Sequence, residues 1–169
     1  MHSWILWIAQ GFGIGRIPVA PGTFGSLLGV VLTFLLLLPG SPWFYFAGVI
    51  LSSLSSIWIC DQAEKILQIK DPGSVVWDEI IALPISFLAW ILWEWHRSGT
   101  WPKASSLFHM PQLLMVAGVF IAFRFFDIVK PWPVRQIQNL PGGLGITADD
   151  VVAALYVNIL FYMVLLLKT

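Results

Sequence analysis

FRFFDIVKPWPVRQIQNLPGGLGITADD, residues 123–150, decides how this chain is read. It sets Arg124, Asp127, Lys130, Arg135, Asp149 and Asp150 between two apolar runs, in a protein where only 11% of residues are charged. So dense a set of charges in so apolar a chain calls for a chemical reason. Two further stretches share its character: GFGIGRIPVAPGTFGS at residues 11–26 and CDQAEKILQIKDPGSVVWDE at residues 60–79.

The rest of the chain is lipid-like. Of 169 residues 58% are hydrophobic, and the mean hydropathy is +0.83. A soluble domain of this size could hardly hide so much apolar surface. Nine Lys and Arg balance nine Asp and Glu, so bulk charge gives no reason to expect a nucleic-acid partner. The single cysteine, Cys60, excludes an internal disulfide and a Cys-rich zinc site. The opening MHSWILWIAQ lacks a cationic region followed by a cleavage-like site, so it does not read as a signal peptide.

Apolar runs cover residues 24–38, 43–60, 80–95, 111–126 and 151–167. Each is shorter than the roughly 20 residues a spanning helix needs and must borrow a turn from its flanks. Proline and glycine mark the breaks: PGSP at 39–42, DPG at 71–73, KPWP at 130–133 and PGG at 141–143. Trp43, Trp58, Trp77, Trp93, Trp95 and Trp132 fall near predicted helix ends, as an interfacial aromatic belt requires. The expected fold is all-α: one domain over residues 1–169, a small integral-membrane bundle of about five apolar helices. Trp4 to Ile8 reads as a short interfacial helix, and Gly25 with Gly29 forms a GxxxG pair that admits a close second helix.

Five crossings put residues 1–23, 61–79 and 127–150 on one side. That side holds Arg16, Lys65, Lys70, Lys130 and Arg135, against Arg97, Lys103 and Lys168 opposite, which places the motifs in the cytoplasm. It also holds every carboxylate except Glu94. Acids do not set topology, so their concentration points to chemistry.

Asp78 and Glu79 precede the third run, at a helix start where negative charge is favoured, and Asp71 lies just upstream. Helix-end decoration would explain a pair, but three converging carboxylates suit Mg²⁺. Asp149 and Asp150 open the fifth run in the same way. Thr147 with Asp150 fits a capping box, which accounts for Asp150 but not for Asp149. Arg124 and Asp127 share a helical face that Lys130 continues. A snorkelling pair is the plain reading; an ionisable residue at membrane depth is the functional one, and it makes Asp127 the leading candidate for an essential residue. Lys130 and Arg135 suit phosphate oxygens or a positive-inside flank equally. Thr23 and Ser26 could contact phosphate or metal, and Thr23 equally well caps a helix. The glycine patterns GFGIG, APGTFGS and GGLG are weak anion-binding signals, neither a Walker loop nor a dinucleotide fingerprint. His2, His96 and His109 stand away from the acids, and Cys60 lacks a phosphatase loop, so histidine and cysteine nucleophiles are set aside.

Taken in order, GFGIG, PGTFGS, DPGSVVWDE, FRFFDIVKPWPVR and GGLGITADD resemble the phosphatidylglycerophosphatase A family over nearly the full length. The resemblance implies a multi-pass bacterial inner-membrane enzyme that hydrolyses phosphatidylglycerophosphate to phosphatidylglycerol and phosphate with Mg²⁺. It carries over Asp71, Asp78, Glu79, Asp127, Asp149 and Asp150 as motif acids and Arg124, Lys130 and Arg135 as motif cations. Asp61 departs from relatives with a histidine there, and residues 136–140 lack charges that some relatives carry. The expected roles are catalysis for Asp127, Asp78 and Asp149, metal ligation for Asp78, Glu79, Asp127, Asp149, Asp150 and Asp71, and substrate contact for Lys130, Arg135, Arg124, Thr23 and Ser26. A small transporter or ion-binding membrane protein is the alternative, and the sequence leaves homo-oligomerisation open. A transporter would spread its acids through the membrane depth.

Overall fold

A computed structural model describes residues 3–110 and 112–167; His2, Pro111 and Lys168, which figure in the sequence reading, lie outside them. The described residues form helices and turns, with no strand. The helices are α1 (Ser3–Ala9), α2 (Pro21–Leu37), α3 (Pro42–Leu67), α4 (Trp77–Ser86), α5 (Leu88–Ser98), α6 (Gln112–Val129), α7 (Val134–Ile137) and α8 (Gly143–Leu166). Short 3-10 segments at Gly11–Arg16 and Ala104–Phe108 complete them. α3, α6 and α8 are long and apolar enough to cross a membrane, and α2 is a shorter apolar helix of 17 residues.

Local chemistry explains the boundaries. Pro21 and Pro42 sit in the first turns of α2 and α3, where their missing N–H groups cost nothing. Ser41 caps α3 by accepting from the Phe44 amide. Gly99, in the left-handed region at φ +70°, ends α5. α3 runs seven residues beyond its apolar run, so Asp61, Glu64 and Lys65 are helical and only residues 68–76 form the connector. Their polarity hid a helix continuation that contacts with α1 and α4 sustain.

The third run is not one helix but two, broken at Phe87 after Pro84. Freed backbone groups inside a membrane need partners. Here Tyr45 donates to the Pro84 carbonyl at 2.7 Å, and Asn158 of α8 donates to the Ile85 carbonyl at 2.8 Å while accepting from the Ala89 amide at 2.6 Å. α4 is thereby enclosed: Ile80 to Ser86 are all buried, packed between α2 and α8.

The GxxxG pair does what its spacing promises, with α4 as the partner. A methyl group on Gly29 would lie 2.6 Å from Leu83 Cβ and 2.8 Å from the Ile80 carbonyl oxygen. Gly29→Ala should therefore force α2 from α4 and destabilise the fold by about 1–3 kcal/mol, the usual cost of overpacking. Thermal unfolding in detergent checks this; an unchanged midpoint contradicts the close α2–α4 contact.

Candidate active site

The carboxyl ends of α3 and α6 and the amino ends of α2, α4 and α8 meet at one end of the bundle. There Asp71, Gly73, Val75, Asp78, Glu79, Asp127, Lys130, Asp149 and Asp150 line a cavity of about 170 Å³. Six carboxylates face one lysine. Of the nine candidate residues with charged side chains, only Arg124 and Arg135 are absent from this lining.

Asp78 and Glu79 occupy the first turn of α4 as predicted. Asp149 and Asp150 do not open α8, which begins at Gly143 and places them two turns further in. The glycines of GGLG are poor helix formers, so composition conceals the true start. No side chain caps α8, and Thr147 is not a capping residue: its hydroxyl lies 2.9 Å from that of Ser56 on α3, both buried. Both aspartates are therefore 3% exposed on the flank of α8, where neither capping nor a helix amino-terminus accounts for them. Thr23 is likewise no cap, because Ala20 holds that position without a side-chain bond.

Two cations organise the acids. Arg124 Nη1 reaches Asp127 Oδ2 at 2.7 Å, Glu79 Oε1 at 3.3 Å and the Ser26 hydroxyl at 3.4 Å, joining α6, α4 and α2. Gly22 makes this junction sterically possible, because a Cβ there would run into the Glu79 carboxylate and stand 3.0 Å from Arg124 Nη1. Lys130, at φ +47° where α6 ends, donates to Asp149 Oδ2 on α8. Asp71, also left-handed at φ +46°, accepts from Gln138 at 2.7 Å, and its amide donates to Glu64 at 3.2 Å. Gln138 lies in the 136–140 stretch that lacks the charges some relatives carry; an uncharged amide beside a turn carries no signal in sequence.

Arg135 is exposed on the short α7, outside the cavity. Asp61 pairs with Lys65 at 2.6 Å and takes no part in the cavity lining.

Charge in the cavity is under-compensated. Burial, then the charge of Asp127, push Glu79 up to about 8, with Arg124 pulling the other way. Burial and the neighbouring Glu79 and Asp149 carboxylates hold Asp78 well above the ordinary range. For Lys130 burial works against the charged form, but Asp149 more than offsets it and raises the ammonium. Asp78 Oδ1, Glu79 Oε2 and Asp150 Oδ2 are buried without a hydrogen-bond partner. Unsatisfied carboxylate oxygens facing one cavity are the donor chemistry a hard divalent cation takes. Among the described residues no three His, Cys, Asp or Glu side chains are yet spaced to hold an ion; Arg124 and Lys130 occupy much of the set instead.

Fold and site together define an all-helical membrane protein with a carboxylate-lined cavity at one end. A family model described as phosphatidylglycerophosphatase A matches residues 7–165. Among curated proteins, phosphatidylglycerophosphatase A of Escherichia coli K12 is 36% identical over 156 residues, covering 90% of this chain and 77% of that protein. The Haemophilus influenzae protein of the same name is 33% identical over 160 residues, covering 93% and 86%. A Bacteroides thetaiotaomicron protein provisionally named phosphatidylinositol-3-phosphatase is 36% identical, covering 90% and 88%. No solved structure matches. The chain belongs to the phosphatidylglycerophosphatase A family.

If Arg124 is the clamp for two buried acids, removing its charge leaves them uncompensated. Arg124→Gln should cost about 3 kcal/mol or more, as breaking a buried ion pair does, and adding Glu79→Gln should recover part of it. Paired unfolding curves test this; a double variant less stable than the single one contradicts the clamp.

Proposed function

We propose that this chain is a Mg²⁺-dependent phosphatidylglycerophosphatase of a bacterial inner membrane, with its cavity facing the cytoplasm. Family membership makes it a phosphatidylglycerophosphatase. The observation that carries the chemical reading is the set of buried, unpartnered carboxylate oxygens in a cavity at the bundle end. Asp78, Glu79, Asp127, Asp149 and Asp150 would hold the metal, with Asp71 at the edge. Bound there, Mg²⁺ would neutralise phosphoryl oxygens and acidify water.

The chain's own residues supply the rest. The lipid keeps its acyl chains beside the helices and extends its terminal phosphomonoester into the cavity. Arg124 orients Asp127 and Glu79 through the contacts described above. Lys130, the cation in the cavity wall, attracts the phosphate and balances charge as the phosphorus–oxygen bond to glycerol breaks. Arg135 adds a positive charge on the approach, and Thr23 and Ser26 complete the α2 side. Asp127 or Asp149 takes the proton from an attacking water; direct attack by Asp127 on phosphorus is the other route these residues allow. Positioning dominates such reactions.

A translocation path would distribute its acids through the membrane depth. Here, among the described residues, Glu94, paired with Arg97 at the other end of the bundle, is the one side-chain carboxylate distant from the cavity end. Phosphate release from phosphatidylglycerophosphate in detergent micelles should require Mg²⁺ and fall at least about a hundredfold in Asp127→Asn, with membrane insertion intact. A phosphatidylinositol 3-phosphate arm tests the name borne by the Bacteroides relative. Undiminished release by Asp127→Asn refutes the assignment, and no release from the folded native protein with any divalent metal refutes the phosphatase reading.

A further inference from the structure

The first sixteen residues carry no acid; among the described residues, 3–16 take no part in the cavity lining, yet Ala9 and Gln10 contact the segment that forms its rim. The connector 68–76 has little structure of its own: a turn in which the Val75 amide donates to the Pro72 carbonyl at 2.8 Å, and the tethers of Asp71 to Glu64 and Gln138. Val75 packs in one apolar cluster with Ile59, Cys60, Ala63 and Ile146, and a further hold comes from the amino-terminal segment. The Val76 amide donates to the Ala9 carbonyl at 2.9 Å, and the next residue, Gln10, uses both ends of its side chain. Gln10 Nε2 donates to the Ser74 hydroxyl at 3.2 Å, and Arg16 Nε donates to Gln10 Oε1 at 2.8 Å. The Gln10 carbonyl also accepts from the Gly13 and Gly15 amides, at 3.0 and 2.8 Å.

Gln10 is only 6% exposed. Burying an amide is unfavourable unless both its donor and its acceptor are satisfied, and here each end meets a different segment. An apolar side chain could fill the space; it could not tie Ser74 to Arg16. Gly73 and Val75, which flank Ser74, and Asp71 all line the cavity, and Asp78 and Glu79 follow directly. From this juxtaposition we propose that Gln10 is a positioning residue: it fixes the rim 72–76 of the cavity through Ser74 and thereby sets how the substrate phosphate enters. The catalytic consequence rests on the phosphatase reading; the structural one does not.

The test compares native protein, Gln10→Ala, Ser74→Ala and the double variant, first by amide hydrogen exchange without metal and then by kinetics. Exchange over residues 71–76 should quicken about tenfold in either single variant, as loss of a local brace does, and no further in the double variant, because one shared bond is lost. KM for the lipid should rise about tenfold while kcat stays near native, in the range seen when supporting contacts of a site are removed. Unchanged exchange, additive effects in the double variant, or a fall in kcat at constant KM overturns the proposal. If Gln10→Ala fails to fold, Ser74→Ala reports on the same bond. If the native protein releases no phosphate the hydrolase reading falls, and the exchange comparison still decides the brace.

Discussion

Everything at the functional end of this bundle answers to one electrostatic constraint: six carboxylates share a cavity of about 170 Å³ with a single lysine in its wall. Charges that close together and that far from water are strongly unfavourable unless countered. Arg124 meets part of the demand by binding acids from two helices, and Lys130 meets another part on α8. What remains, the unpartnered oxygens of Asp78, Glu79 and Asp150, is a standing deficit. Folding alone gives no reason to keep such a deficit, since apolar residues would pack there at lower cost.

The bundle is built to hold these groups rigidly. α4 carries two of the acids and is enclosed by its neighbours, lying close to α2 through the glycine face and beside α8. Its break at Phe87 lies in the apolar interior, yet Tyr45 and Asn158 satisfy the backbone groups around it. Tyr45, Asn158 and the glycine face thus fix α4 along its length, while Arg124 and the rim contacts fix its amino end. Loss of any one of these supports reaches the cavity through α4.

Much of this was legible in the sequence because it rests on strong local signals. Apolar runs located α2, α3, α6 and α8, and the shared character of the three polar stretches marked them as parts of one end. The Arg124–Asp127 spacing foretold an ion pair, and DE ahead of an apolar run foretold the start of α4. What stayed hidden had physical reasons. Glycines of low helix propensity masked the first two turns of α8, so Asp149 and Asp150 looked like helix-opening residues. The charged end of α3 looked like a loop because its polarity follows the membrane boundary and not the helix. Gln10, Gln138 and Asn158 gave no warning, since an amide's importance depends on which backbone or hydroxyl it meets in three dimensions.

Divalent-cation binding by the cavity's uncompensated carboxylates, as proposed above, is directly measurable. Manganese, a paramagnetic stand-in for Mg²⁺, allows this to be measured by electron paramagnetic resonance on purified protein without reference to turnover. Native protein should take up Mn²⁺ in competition with Mg²⁺, and the Asp150→Asn and Asp78→Asn variants should lose at least about tenfold in affinity while remaining folded. Folded native protein that leaves Mn²⁺ free in solution, or variants that bind it as tightly as the native chain, would contradict cation binding in this cavity.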